Sequence, residues 1–269
     1  MPRYGRVNAR DLRALEDIVG AEYTTARPEE LYCYSRDSTI FSARPEAVVR
    51  PTTTVQVSAV LRLADRRRIP VTPRGAGTSA AGSPLPVAGG IVLDMSAMNH
   101  IASVSLEDQV VVAEAGVVCD ILNEELSRHG FFFPPDPASS PACTLGGMVS
   151  TNAAGNRTAK YGPTRNYVLW LEVVLPTGRV IHTGSKTLKS VSDLDLTRLI
   201  VGSEGSLGVV TQVALRVVPL PEHYATATFI YDSVEALARA ATKVRLAGII
   251  PEMLEFMDRE TSRAAFQYA

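Results

Sequence analysis

An α+β fold with two lobes is predicted by three features of the sequence. Short runs rich in Val and Ile read as strands, amphipathic segments between them read as helices, and clusters of Gly, Pro and Ser mark the joints. A strand, helix, strand order over residues 47–72 predicts a parallel pair with a right-handed crossover, and beyond residue 101 the pattern becomes β-rich.

The elements follow in order. Residues 1–44 form an N-terminal helical segment: Leu12, Leu15, Ile18 and Val19 recur at helical spacing, and Pro28 opens a second short turn before Tyr32 and Tyr34. Residues 47–50 read as a strand. Thr52, Thr53 and Thr54 then supply cap residues for a helix whose apolar face is Val57, Val60, Leu61 and Ala64, ending near Arg68. Short strands are predicted at 69–72 and 91–95, at 110–113, 170–175, 180–183 and 209–218, with a helix near 120–129 closed by Gly130. Residues 134–163 lack periodicity, and about 30 structureless residues inside a compact domain imply a binding loop rather than a linker. After Pro219 and Pro221 a second α+β unit begins, with strands at 225–231 and 253–256 around a helix that Ser233 caps and Gly248 stops. The predicted boundaries are therefore 1–44, 45–221 and 222–269.

Composition narrows the function. Lys plus Arg number 27 against 28 Asp plus Glu, a net charge of −1 that gives no electrostatic footprint for nucleic acid. The charged start does not read as a secretory signal, and no apolar run approaches the roughly 18 residues of a membrane span. Three dispersed cysteines, Cys33, Cys119 and Cys143, fit a reducing cytoplasm, and His100, His129, His182 and His223 have no metal-ligand spacing, so no metal is expected. Arg66, Arg67 and Arg68 read as a solvated helix end, and Phe131, Phe132, Phe133, Tyr167 and Trp170 as packing residues.

Three Gly-rich loops carry the chemistry. In Pro73-Arg74-Gly75-Ala76-Gly77-Thr78-Ser79, delivered by a strand, the glycines let backbone approach a ligand, and successive N–H groups can form a nest for phosphate oxygens. A tight surface turn is the other reading. It is neither a Walker loop nor a dinucleotide fingerprint, because Gly-Lys-Ser/Thr is absent and Pro84 and Pro86 after Gly82 forbid the helix such a fingerprint opens. The second cluster runs from Pro134 to Asn156; its paired Gly146 and Gly147 let backbone lie against a planar group, while Ser139, Thr144 and Asn152 offer donors, with a long Ω-loop as the alternative. The third, residues 202–210, is again glycine-dense, and its Glu204 is either a ligand contact or a brace. Together the three suggest an extended ligand with a diphosphate centre.

Arg50-Pro51 ahead of a helix, PRGAGTS at 73–79, PPDPASSPACTLGGMVSTNAAGN at 134–156, Tyr161-Gly162 and GSEGSLGVVT at 202–211 carry a family likeness. In that order they resemble the PCMH-type FAD-binding domain of the vanillyl-alcohol oxidase and p-cresol methylhydroxylase flavoproteins. The branch they are most similar to contains the glycolate oxidase catalytic subunit and the D-lactate and D-2-hydroxyglutarate dehydrogenases, over about residues 9–269. The resemblance implies that Pro73, Arg74, Gly75, Ala76, Gly77, Thr78, Ser79 and Gly82 hold the FAD diphosphate. It further implies that Pro135, Asp136, Ser139, Thr144, Gly146, Gly147, Asn152, Gly155, Tyr161, Glu204, Gly205, Gly208 and Val209 wrap the rest of the cofactor.

The implied reaction is oxidation of a small 2-hydroxy acid to a 2-oxo acid by hydride transfer to flavin N5, with electrons leaving to a second acceptor. Covalent members carry His where Thr78 stands, so the FAD is expected to be non-covalent, and Cys143 is read as a small core residue. The family's substrate-handling segments, including a His-x-Gly-Asp-Gly-Asn-x-His metal motif, are not found here, so no catalytic residue is assigned. The expectation is an FAD domain with the start of an α+β cap, incomplete alone, completed by a partner subunit that accepts electrons. The rivals are a non-catalytic or electron-transferring FAD subunit and a truncated, inactive product; a nucleotide-sugar reductase on the same fold is disfavoured. An unfinished cap is expected to expose Phe229, Leu237, Val244 and Leu254.

Overall fold

A computed structural model describes residues 4–192 and 194–268. The N-terminal segment forms α1 (Ala9–Val19), β1 (Thr24–Thr25) and α2 (Pro28–Cys33). Asn8 and Asp11 make a reciprocal capping box at α1, which satisfies two backbone donors that the first turn would otherwise leave open. The first lobe continues with β2 (Ala47–Val49), α3 (Thr54–Arg67), β3 (Val71–Arg74) and β4 (Ile91–Asp94). Thr53 caps α3 as expected, and Arg68 ends it in the left-handed conformation at φ 54°.

The second lobe contains β5 (Ile101–Ser105), β6 (Val110–Glu114), α4 (Cys119–Ser127), β7 (Phe131–Phe132), α5 (Leu145–Thr151), α6 (Thr158–Tyr161), β8 (Val168–Val174), β9 (Val180–Gly184), α7 (Leu196–Ile200), β10 (Val209–Arg216) and β11 (Val218–Pro219). Two helices follow, α8 (Val234–Leu246), capped by Ser233, and α9 (Arg259–Tyr268).

The first sheet has the order β1-β2-β4-β3, with β2 and β3 both parallel to β4 and β1 antiparallel to β2. The expected β2 and β3 are therefore parallel members of one sheet, but β4 is inserted between them. Pairing with β4 also moves β3 two residues along the chain: Pro73 and Arg74, expected to open the loop, lie opposite Leu93 and Asp94. Proline is tolerated there because β3 is an edge strand and needs no outward donor.

The second sheet, β5-β6-β10-β8-β9, is antiparallel throughout. Its core packs Leu122, Phe133, Leu145, Met148, Leu171 and Val213, while the first lobe closes over Leu15, Val49, Val57, Ile91 and Leu93. Each such fully buried side chain contributes about 1.5–3 kcal/mol. Val174 and Val209 of the second sheet join the first core, so the two lobes share an apolar seam. Polar groups cross the same seam: Glu172 on β8 accepts from Thr54 at 2.6 Å, and Ser58 on α3 donates to the Gly178 carbonyl.

Two expectations need correction. The 134–163 stretch is not structureless, because α5 and α6 lie within it. Residues 225–231 and 253–256 form no strand, since among the described residues no segment pairs with them. Trp170 packs as expected, half-buried against Val110, Val112 and Ala214 on the second face of the sheet, and its ring also stacks on His182 at 5.2 Å with Lys186 over it. Of the four apolar residues expected on an open face, Phe229 and Leu254 are exposed and Leu237 and Val244 are half-buried.

Candidate functional site

A cleft of about 540 Å³ opens where the two lobes meet, within the range typical of cofactor pockets. Its walls are the loop after β3 (Gly75 to Ala81), the start of α5 with Gly146 and Gly147, the turn Asn152 to Ala154, and Glu204, Gly205, Gly208 and Val209 at the approach to β10. The three Gly-rich clusters, more than 120 residues apart at their extremes, thus come together in one place.

The β3 loop is held from behind. Ser38 N–H donates to the Ser79 carbonyl at 3.1 Å, Ser38 Oγ donates to the Thr78 carbonyl at 3.4 Å, and the Arg36 carbonyl accepts from Arg74 Nη2 at 2.8 Å. Asp37 accepts from Gly82 N–H at 3.0 Å and from the Thr39 amide and hydroxyl. Burial pushes the Asp37 carboxyl up, but the bonds from Thr39 and Gly82 and the Arg74 charge outweigh it and hold the pKa below the usual range. The strap thereby occupies carbonyls of the loop. Among the described residues, the N–H groups of Ala76, Gly77, Thr78 and Ser79 find no acceptor in the protein. Gly77 makes this turn possible: its φ is +73°, and a Cβ there would collide with the Arg74 guanidinium.

Arg74 is a buried cation beside that row of donors. It lies over the Tyr34 ring at 5.6 Å, and its Nη1 has no hydrogen-bond partner. Burial lowers its pKa, and the neighbouring Asp94, Tyr34 and Asp37 oppose that, so a guanidinium stays charged at neutral pH. Tyr34 is itself fixed, donating to Asp94 Oδ2 at 2.7 Å and accepting from Arg50 at 3.0 Å.

The opposite wall differs in kind. Thr144 caps α5 by accepting from Gly147 N–H, while Leu145 and Gly146 N–H donate to the Val117 and Ala115 carbonyls at 2.8 Å each. The first amides of α5 are consequently occupied, whereas the Thr144 hydroxyl only accepts and keeps its own proton free to donate, the role read for it from the sequence. Gly146 is required by close approach: a Cβ would meet Ala115. Asn152 ends α5 in the left-handed region at φ 49° and accepts from Arg165 N–H through Oδ1, leaving Nδ2 for another partner. Glu204, also left-handed at φ 52°, donates its N–H to the Ser150 carbonyl at 2.8 Å.

Pro73 through Ser79, Ser139, Thr144, Gly146, Gly147, Asn152, Glu204, Gly205, Gly208 and Val209 all line the cleft. Gly82, Pro135, Asp136, Gly155 and Tyr161 do not. Gly82 donates to Asp37, and the Pro135 carbonyl accepts from the Cys119 thiol. Asp136 accepts from Arg157 N–H, Gly155 is pressed against Asp136, and Tyr161 packs edge-on to Phe132. These five brace the walls. Met95, Ala115 and Ser150 line the cleft without having been singled out in the sequence, because nothing in their chemistry distinguishes them from ordinary core or helix residues.

Residues 45–184 match the family of FAD-binding domains, and residues 220–269 match the C-terminal domain of FAD-linked oxidases. The chain belongs to the FAD-binding domain family. As an FAD-binding protein it is 40% identical over 237 residues to glycolate oxidase subunit GlcD of Bacillus subtilis, covering 88% of this chain and 50% of that one. It is 38% identical to D-lactate dehydrogenase of Anaerostipes hadrus, covering 81% and 46%, and 35% identical to GlcD of Escherichia coli, covering 94% and 51%. The chain spans about half the length of these curated relatives. Alkyldihydroxyacetonephosphate synthase superposes with a TM-score of 0.83 over 100% of this chain and 51% of its own, at 22% identity, which establishes the shared fold. FAD is the cofactor of this domain. Among the described residues no helix is long and apolar enough to cross a membrane, and no cluster of three metal-ligating side chains occurs.

Proposed function

We propose that the cleft holds one FAD without a covalent bond, its diphosphate on the β3 loop, and that the protein oxidises a small 2-hydroxy acid to the 2-oxo acid. The observation that carries this reading is the row of unpaired N–H groups at Ala76 to Ser79 beside the unpartnered Arg74 Nη1. A buried donor without an acceptor, such as Arg74 Nη1, is costly, and diphosphate oxygens would satisfy it together with the open N–H groups of the loop.

When bound, FAD supplies a two-electron acceptor that takes a hydride equivalent at N5 from the hydroxyl-bearing carbon. The chain's own residues bind and orient. Arg74 offers a cation to the diphosphate, Gly146 and Gly147 present flat backbone to the ring system, and Asn152 Nδ2 is available to a ring heteroatom or phosphate. Gly205, Gly208 and Val209 close the remaining side. Thr78 has no group that links to a flavin methyl, so acid precipitation is expected to leave a coloured supernatant and a colourless pellet.

The test is a visible spectrum of the purified chain before and after anaerobic glycolate, D-lactate and D-2-hydroxyglutarate. Absence of flavin would remove the cofactor reading. Bleaching by one of the acids would show that this chain carries the whole reaction. An unbleached flavin would favour the second reading, an electron-transferring or non-catalytic FAD subunit that works with a partner chain. That reading is supported by the cleft lining, whose ionisable members among the described residues are Arg74, Glu204 and Cys143, none paired as a general base. The three free thiols support a reducing compartment, and we place the protein in the cytoplasm.

A further inference from the structure

Two cysteines lie on neighbouring backbone at the cleft wall, neither given a part in holding the cofactor. Cys119 is the first residue of α4, and Cys143 precedes the Thr144 cap of α5. An isolated antiparallel bridge pairs Val118 with Thr144, which sets Cys119 opposite Cys143, and the Cys119 N–H donates to the Cys143 carbonyl at 3.0 Å. The Cys143 N–H turns away to the Ser139 carbonyl, so the two share a single bond; antiparallel neighbours have Cα atoms about 4.5–5.5 Å apart, inside the span of about 4.4–6.8 Å that a disulfide needs. Both thiols are free and buried, and Cys143 lines the cleft whereas Cys119 is sealed behind it.

We propose that Cys119 and Cys143 form a hydroperoxide-sensitive dithiol in the cofactor wall, with Cys143 the attacking thiol and Cys119 the resolving one. The roles follow from position, since only Cys143 borders the cleft through which a small peroxide arrives. Their chemistry agrees: the neighbouring Cys119 thiol, with help from Ser139, lowers the Cys143 pKa against the opposing effect of burial. The proximity of Cys143, and burial, push Cys119 up, so it keeps its proton.

The balance is complete in two steps. Cys143 thiolate attacks one peroxide oxygen, the O–O bond breaks, and sulfenic acid and hydroxide (or alkoxide) form. The Cys119 sulfur then displaces hydroxide from the Cys143 sulfur, its thiol proton leaving with it as water, and the disulfide forms. Two thiols are oxidised, and one hydroperoxide is reduced.

The experiment uses the chain carrying Cys33→Ser, which removes the exposed third thiol, treated with hydrogen peroxide and read by thiol titration after denaturation and by intact mass. Loss of both remaining thiols, a mass lower by two hydrogens, a Cys119–Cys143 cross-linked peptide and full reversal by dithiothreitol are expected. In Cys119→Ser a sulfenic acid trappable at Cys143 is expected, and in Cys143→Ser the Cys119 thiol should survive. Survival of both thiols under peroxide that oxidises Cys33 in the unmodified chain overturns the proposal. A Cys119 that reacts equally fast without Cys143 overturns the assigned order.

Discussion

At Gly77 a single missing methyl group decides whether the β3 loop can present its donors. Any β-branched residue there adopts a disfavoured positive φ, at a cost on the order of 1–3 kcal/mol, and displaces the Arg74 guanidinium. Gly77→Val should lower FAD affinity by about tenfold or more while leaving far-ultraviolet circular dichroism unchanged. Asp37 acts one step behind. Asp37→Ala removes the acceptor for Gly82 and Thr39, and a loss of about 1–3 kcal/mol in cofactor affinity is expected by isothermal titration. Because the folded Asp37 pKa lies below its ordinary value, its bracing is fully present above the ordinary carboxylate range and fades as pH falls through the folded value. The FAD affinity lost in Asp37→Ala should therefore be greatest at neutral pH and shrink on acidification, as Asp37 of the unmodified chain protonates. Gly77 was legible in the sequence as a ligand-approach residue. Asp37 was not, since an Asx turn reads the same whether or not it ties down a distant loop.

Elements transmit this geometry through Glu172, the carboxylate that joins α3 to the second sheet. It accepts from Thr54 and Thr211 and faces His182 at 3.2 Å. Burial pushes its pKa up, but bonds from Thr54, Thr211 and His182 prevail and lower it, so its contribution is present at neutral pH and lost in acid. Glu172→Ala should destabilise the fold by about 2 kcal/mol in a denaturant titration at pH 7, with a smaller difference near pH 3. The helices α3 and α4 were readable from apolar spacing. The helix α5 was not, because Gly146 and Gly147 argue against helix locally, and their reason is the contact with Ala115 and the turn at Thr144. Residues 225–231 read as a strand, but local sequence supplies only a propensity, and a strand also needs a neighbour to accept its N–H groups.

Over the whole molecule, two lobes share a seam and the cleft lies along it, so the cofactor site depends on both cores together. Beyond Pro221 the picture changes, with Ile230 94%, Leu246 83% and Phe229 70% exposed. Apolar surface of this kind drives association, and light scattering should report a mass above the 28.9 kDa of one chain. A monodisperse monomer at high concentration would count against it. The central claim, that three distant Gly-rich segments make one FAD site, is tested most directly by titrating FAD into the flavin-free chain and its Gly77→Val variant while following flavin fluorescence. One saturable FAD per chain, with affinity lowered about tenfold or more in the variant, is the predicted result; no saturable binding, or equal binding by both, would contradict it.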